Sequence, residues 1–165
     1  MSGDKAYSGN REQARLAFLC RIATKEITHL EETATRLFPQ DQPLDIQTVE
    51  SWIDSLELSE RLDAFVARFS RLQDTIGDKL LPALLELVGE AVGPVIDNLD
   101  KAEKFGWIES AEEWILYRKL RNQMVHEYIE DIAVLTDALQ AGQSFVPTLV
   151  KTSNTIVQEV QMRML

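Results

Sequence analysis

This chain has little cysteine, glycine or proline, and each shortage excludes something. One cysteine, Cys20, rules out an intramolecular disulfide, and its neighbours Phe18, Leu19 and Ile22 mark it as a small buried apolar residue in a reducing compartment. Seven glycines and five prolines in 165 residues leave long stretches without a chain breaker, while Leu, Ala, Glu and Arg recur at helical spacing. No run of alternating apolar and polar residues is long enough for a strand. No apolar run approaches the roughly 20 residues that span a bilayer, and the N-terminus lacks the basic-then-apolar pattern of a secretion signal. The expectation is a cytoplasmic protein that does not engage a membrane. Two distant histidines and one cysteine give no metal-ligand spacing. The carboxylate pairs Glu31-Glu32 and Glu112-Glu113 are adjacent and so fall on different helix faces, and no glycine-rich phosphate loop occurs. Neither a metal nor a cofactor is expected.

Positive charge is also in short supply. Against 27 acidic residues stand 17 basic ones, a net charge of −10, which repels any polyanion unless a local basic patch receives it. Arg118, Lys119 and Arg121 form one such cluster. Arg61, Arg68 and Arg71 form a second, balanced by Glu57, Glu60, Asp63 and Asp74.

What is present is helical periodicity. Met1 to Asn10 reads as a flexible leader, and residues 11–165 as a single helical domain. Leu16, Leu19, Ala23, Ile27, Leu30, Ala34 and Leu37 recur in steps of three and four, so a long amphipathic helix is predicted to run to Phe38 and stop at Pro39. A short helix over Asp45 to Asp54 carries Trp52. Leu62, Phe65, Phe69, Leu72, Ile76 and Leu80 draw the next stripe, which Gly77 and Pro82 bend. Pro94 opens a further helix that Gly106 closes in the left-handed conformation, with Trp107 packed back over its end. Ser110 and Glu113 have capping-box spacing, and the helix they start carries Trp114, Leu116, Tyr117 and Leu120. A stripe from Ile129 to Ala141 is predicted to stop at Gly142, and Pro147 to open a terminal helix. The fold class is therefore an all-α antiparallel bundle of about five to seven helices, with Trp52, Trp107 and Trp114 as core anchors and His29 at the surface.

One short segment carries chemistry: Arg121-Asn122-Gln123-Met124-Val125-His126-Glu127-Tyr128. Arginine offers a permanent forked charge suited to phosphate oxygens. Histidine is the side chain that exchanges a proton near neutral pH. At about 100° per residue, Arg121 and Tyr128 share a helix face and Asn122 and His126 another, whereas Arg121 and His126 lie about 140° apart. For both to act on one small target, the helix must be irregular or a second copy of the chain must complete the site.

This string, an arginine followed by asparagine, then histidine five places on and tyrosine two beyond it, resembles the hallmark of the HEPN superfamily, in the form found in its HepT-like toxins. The resemblance covers roughly Leu56 to Leu139. It implies a HEPN-like bundle and a metal-independent endoribonuclease that acts as a homodimer, with the motifs of two subunits facing one cleft. Under it, Arg121 and His126 are the catalytic pair, and Asn122 and Tyr128 bind the RNA substrate. It also implies a toxin-antitoxin pair in which a minimal nucleotidyltransferase silences the toxin, in some cases by transferring AMP to the motif tyrosine, here Tyr128. Glu127, Glu130 and Asp131 beside the motif run against it, since carboxylates there repel an RNA backbone. Two alternatives remain open. One is a non-enzymatic HEPN-like helical protein that binds a nucleotidyltransferase or presents substrate to it. The other is a structural bundle in which Arg121 pairs with Glu127 or Glu130 and the motif packs a dimer.

Overall fold

The computed structural model describes residues 2–126 and 130–164. Seven α-helices occur among them and no strand: α1 (Ser2–Leu37), α2 (Ile46–Asp54), α3 (Leu56–Asp74), α4 (Leu81–Leu87), α5 (Val95–Lys104), α6 (Ala111–His126) and α7 (Ile132–Arg163). A π-helical segment, Thr75–Leu80, joins α3 to α4. The protein is an all-α helical bundle.

The predicted stripes form its core. Leu16, Leu19, Ala23, Ile27, Leu30 and Leu37 of α1 are buried, as are Leu62, Phe65, Phe69, Leu72, Ile76 and Leu80 along α3 and the π segment. Each leucine, isoleucine or phenylalanine removed from water contributes about 1.5–3 kcal/mol, so these two stripes fix how α1 meets α3. Tertiary contacts give the sense of packing. Arg68 Nη1 donates to the His29 carbonyl at 3.2 Å and Thr75 Oγ1 to Glu26 Oε1 at 3.1 Å, so numbers rise along α3 as they fall along α1. Arg118 meets Asp78 and Arg121 meets Asp74, so α6 also runs antiparallel to α3. The aromatic centre lies where α3, α6 and α7 converge: Phe145 of α7 stacks on Tyr117 at 3.5 Å between ring centres and meets Phe69 and Trp114 edge-on. Trp52, Trp107, Trp114 and Cys20 are buried, and His29 is exposed.

Helix ends follow local chemistry. Asp45 caps α2 by accepting from the Thr48 N–H at 2.7 Å. Gly106, at φ 77°, ends α5 while the Trp107 N–H donates to the Ala102 carbonyl at 2.9 Å. Ser110 Oγ accepts from the Glu113 N–H at 3.0 Å and starts α6.

One expectation is corrected. Gly142 does not stop a helix and Pro147 does not open one, because α7 runs through both. Gly142 instead packs inside α7 against its neighbours, where a Cβ would meet Met124 Sδ at 3.4 Å and Phe65 Cε1 at 3.8 Å, ordinary contact distances. Packing against α3 and α6 on this scale outweighs the local cost of one glycine and of the hydrogen bond that Pro147 cannot donate. Met1 to Asn10 is the stretch expected as a flexible leader. Here α1 already begins at Ser2, built from the helix formers Lys5, Ala6, Arg11, Glu12, Gln13 and Ala14, and its described residues up to Arg15 are exposed.

Candidate functional site

Arg121 to His126 of the motif occupy the last turns of α6. Met124 is fully buried against Gly142 of α7, which fixes the rotation of α6 and so decides where its neighbours point. Val125 and His126 are exposed and Arg121 is half-buried. Between α6 and α3 lies a groove of about 560 Å³, which Arg121, Met124, Val125 and His126 line from one side and Val66, Ala67 and Ser70 from the other. Small residues on α3 keep it open. Arg121 and His126, about 140° apart on an ideal helix, therefore border one groove within a single chain, because the groove spans the α6 surface between them.

Electrostatics are mixed. Asp63 and Glu130 also border the groove. Arg121 is held by Asp74, the last residue of α3, in an ion pair one-quarter to two-fifths exposed. One turn back along α6, Arg118 pairs with Asp78 at 3.3 Å. For a motif that serves only to pack a dimer, the expected partner of Arg121 is Glu127 or Glu130; among the described residues its ion-pair partner is Asp74, 47 positions earlier. Asn122 is exposed and does not border the groove. Tyr128, expected to bind substrate and to be the modified residue, lies outside the described residues, as does Glu127.

Cys20 and Tyr117, two titratable groups with shifted behaviour, lie away from the groove. Burial raises the Cys20 thiol, and burial with the Glu113 carboxylate beside it raises the Tyr117 phenol. Among the described residues, no three His, Cys, Asp or Glu side chains cluster to hold a metal ion, and no helix is long and apolar enough to cross a membrane.

Asp74 is the residue that sequence reasoning assigned elsewhere. It stood as a counter-charge to the Arg61, Arg68 and Arg71 cluster, whereas Arg61 pairs with Glu57 and Arg68 donates to Thr33. Only the register between α3 and α6 reveals its partner. No protein-family model, curated protein or solved structure matches the chain.

Proposed function

We propose that the chain is a metal-independent endoribonuclease of the HEPN type, with Arg121 and His126 as its working pair. RNA carries its own nucleophile. The 2′-oxygen attacks the adjacent phosphorus, the bond from phosphorus to the 5′-oxygen breaks, and a 2′,3′-cyclic phosphate and a 5′-hydroxyl are left. The chemistry needs a group that exchanges a proton near neutrality, the role of His126, and a cation beside the non-bridging oxygens, the role of Arg121. Asn122 orients the imidazole or donates to phosphate, and Tyr128 binds phosphate or stacks on a base.

The observation that carries this reading is the groove between α3 and α6, which Arg121 and His126 border together. The resemblance further implies a homodimer in which the motifs of two copies face one cleft. By the same resemblance the regulator is a minimal nucleotidyltransferase antitoxin. AMP on Tyr128 would bring negative charge and bulk to the cleft, enough to shut out an RNA backbone. End-group analysis of the products tests the mechanism: a 2′,3′-cyclic phosphate is expected, and a 5′-phosphate would overturn it.

A second reading has its own support. Arg121 is neutralised by Asp74, Asp63 and Glu130 border the groove, and the chain carries a net charge of −10. These features suit a non-enzymatic partner that binds a nucleotidyltransferase or presents substrate to it. Stable binding of such an enzyme with no RNA cleavage would favour it.

A further inference from the structure

The outward face of α1 is unlike the rest of the molecule. At 100° per residue, Tyr7, Arg11, Phe18, Arg21, Lys25 and Arg36 fall within an arc of about 80°, directly opposite the buried Leu16, Ala23 and Ile27. All six are exposed, Tyr7 by 64% and Phe18 by 52%. At 1.5 Å per residue the strip is about 40 Å long. Cations and aromatics are coupled along it: the Arg11 guanidinium lies 5.0 Å from the centre of the Tyr7 ring, and that of Arg21 5.9 Å from the Phe18 ring.

Cations differ in pairing over the molecule, and Arg68 and Arg71 on α3 form no ion pair among the described residues. Arg61, Arg118, Arg121 and Arg163 elsewhere in the chain are each tied to a carboxylate. Among the described residues, Arg11, Arg21, Lys25 and Arg36 form no ion pair, and Glu32 is the one acid whose position falls within the same arc. In an acidic protein a polyanion is repelled from most of the surface, so a continuous strip of free cations is where it can settle.

We infer that the outward face of α1 binds single-stranded nucleic acid, with Arg11, Arg21, Lys25 and Arg36 each on a phosphate along the strand and Tyr7 and Phe18 stacked on bases. Spaced cations with interleaved exposed rings are what an unpaired strand requires, since phosphates repeat along it and every base offers a face to a ring. An anionic membrane would require a broad apolar face, and on α1 Leu16, Leu19, Ile27, Leu30 and Leu37 are buried in the bundle while Ile22 is half-buried. The strip and the groove lie on opposite flanks of α3, because α3 presents Arg68 to α1 but Val66 and Ser70 to the groove. The inference therefore holds whether or not the groove cleaves RNA.

The test uses the Arg121→Ala/His126→Ala double variant, so that cleavage cannot obscure binding, and follows the anisotropy of a labelled oligouridine long enough to span the strip. Binding is expected to weaken with salt at a slope of log affinity on log salt of about −3, for four phosphates at about 0.7 each. In that background, changing Arg11, Arg21, Lys25 and Arg36 together to Glu lowers affinity by at least about tenfold. Tyr7→Ala/Phe18→Ala lowers it by about fivefold or more and leaves the salt slope in place. All six side chains are exposed, so unchanged thermal melts accompany both sets, and a Gln series replaces the Glu series if reversal disturbs folding. Absence of oligouridine binding, equal binding by the charge-altered chains, or capture by phosphatidylserine vesicles in preference to RNA would each overturn the inference.

Discussion

Arg121, in the motif at the end of α6, is ion-paired with Asp74, the residue at which α3 gives way to the π segment. The pair ties the motif helix to the bundle and occupies the guanidinium that the proposed chemistry requires. Both side chains are partly exposed, so solvent screens the pair and its net worth is no more than about 1 kcal/mol.

Asp74→Asn removes that competing charge. Arg121 then meets phosphate without first leaving a carboxylate, and KM for RNA is expected to fall by up to about fivefold with the melting temperature almost unchanged. Steady-state cleavage of a labelled oligonucleotide measures this. A rise in KM would show that Asp74 instead holds Arg121 in its working position.

Gly142 offers a graded test of how the α6–α7 contact supports the site. An alanine Cβ there meets Met124 Sδ and Cε at 3.4 and 3.5 Å, ordinary contact distances, so Gly142→Ala gains helix propensity of up to about 1 kcal/mol. Thermal unfolding should shift upward by about 2–4 °C for each kcal/mol gained. Gly142→Leu overfills the same space and costs about 1–3 kcal/mol. Because it displaces Met124, which lies between Arg121 and His126 in the groove wall, it is expected to impair cleavage as well. Retained stability and activity in Gly142→Leu would mean that this contact does not set the groove.

Asp131 starts α7 by accepting from the Ala133 and Val134 N–H groups at 3.1 and 3.2 Å. Loss of that cap in Asp131→Ala should cost about 1 kcal/mol in a urea titration, with Asp131→Asn close to the parent. Equal stability of all three chains would contradict the assignment.

Much of the fold was legible from residues that act locally. Asp45, Pro94, Gly106 and Ser110 mark helix ends because each satisfies or removes a backbone group within a few positions of itself. The stripes of α1 and α3 are legible because one face of each is buried throughout. Gly142 and Pro147 read as punctuation by the same local logic, and there tertiary contact overrules it. The pairing of Arg121 with Asp74 spans 47 positions and depends on the register of two helices, which periodicity does not supply. The α1 strip is likewise invisible until the opposite face is known to be buried from Leu16 onward.

Glu26 faces the π segment, where its Oε1 accepts from Thr75 and its Oε2 has no partner. Burial raises its pKa, against smaller opposing effects of the Thr75 hydroxyl, Lys79 and Arg71. A carboxyl with a raised folded pKa binds more protons in the native state than in the unfolded state. Stability therefore falls as pH rises from the ordinary glutamate range through the raised value. Glu26→Gln should melt higher than the parent at pH 7, and the gain should vanish at acid pH where Glu26 is protonated in both states. A gain of equal size at both pH values would show that the charge is not its cause.

The most direct test of the nuclease proposal is to incubate the purified protein with labelled single-stranded RNA, with and without EDTA, beside Arg121→Ala and His126→Ala. Cleavage that survives the chelator and disappears in both folded variants is the predicted result. Cleavage retained in both variants, or no cleavage by the folded parent chain with Tyr128 unmodified, would contradict it.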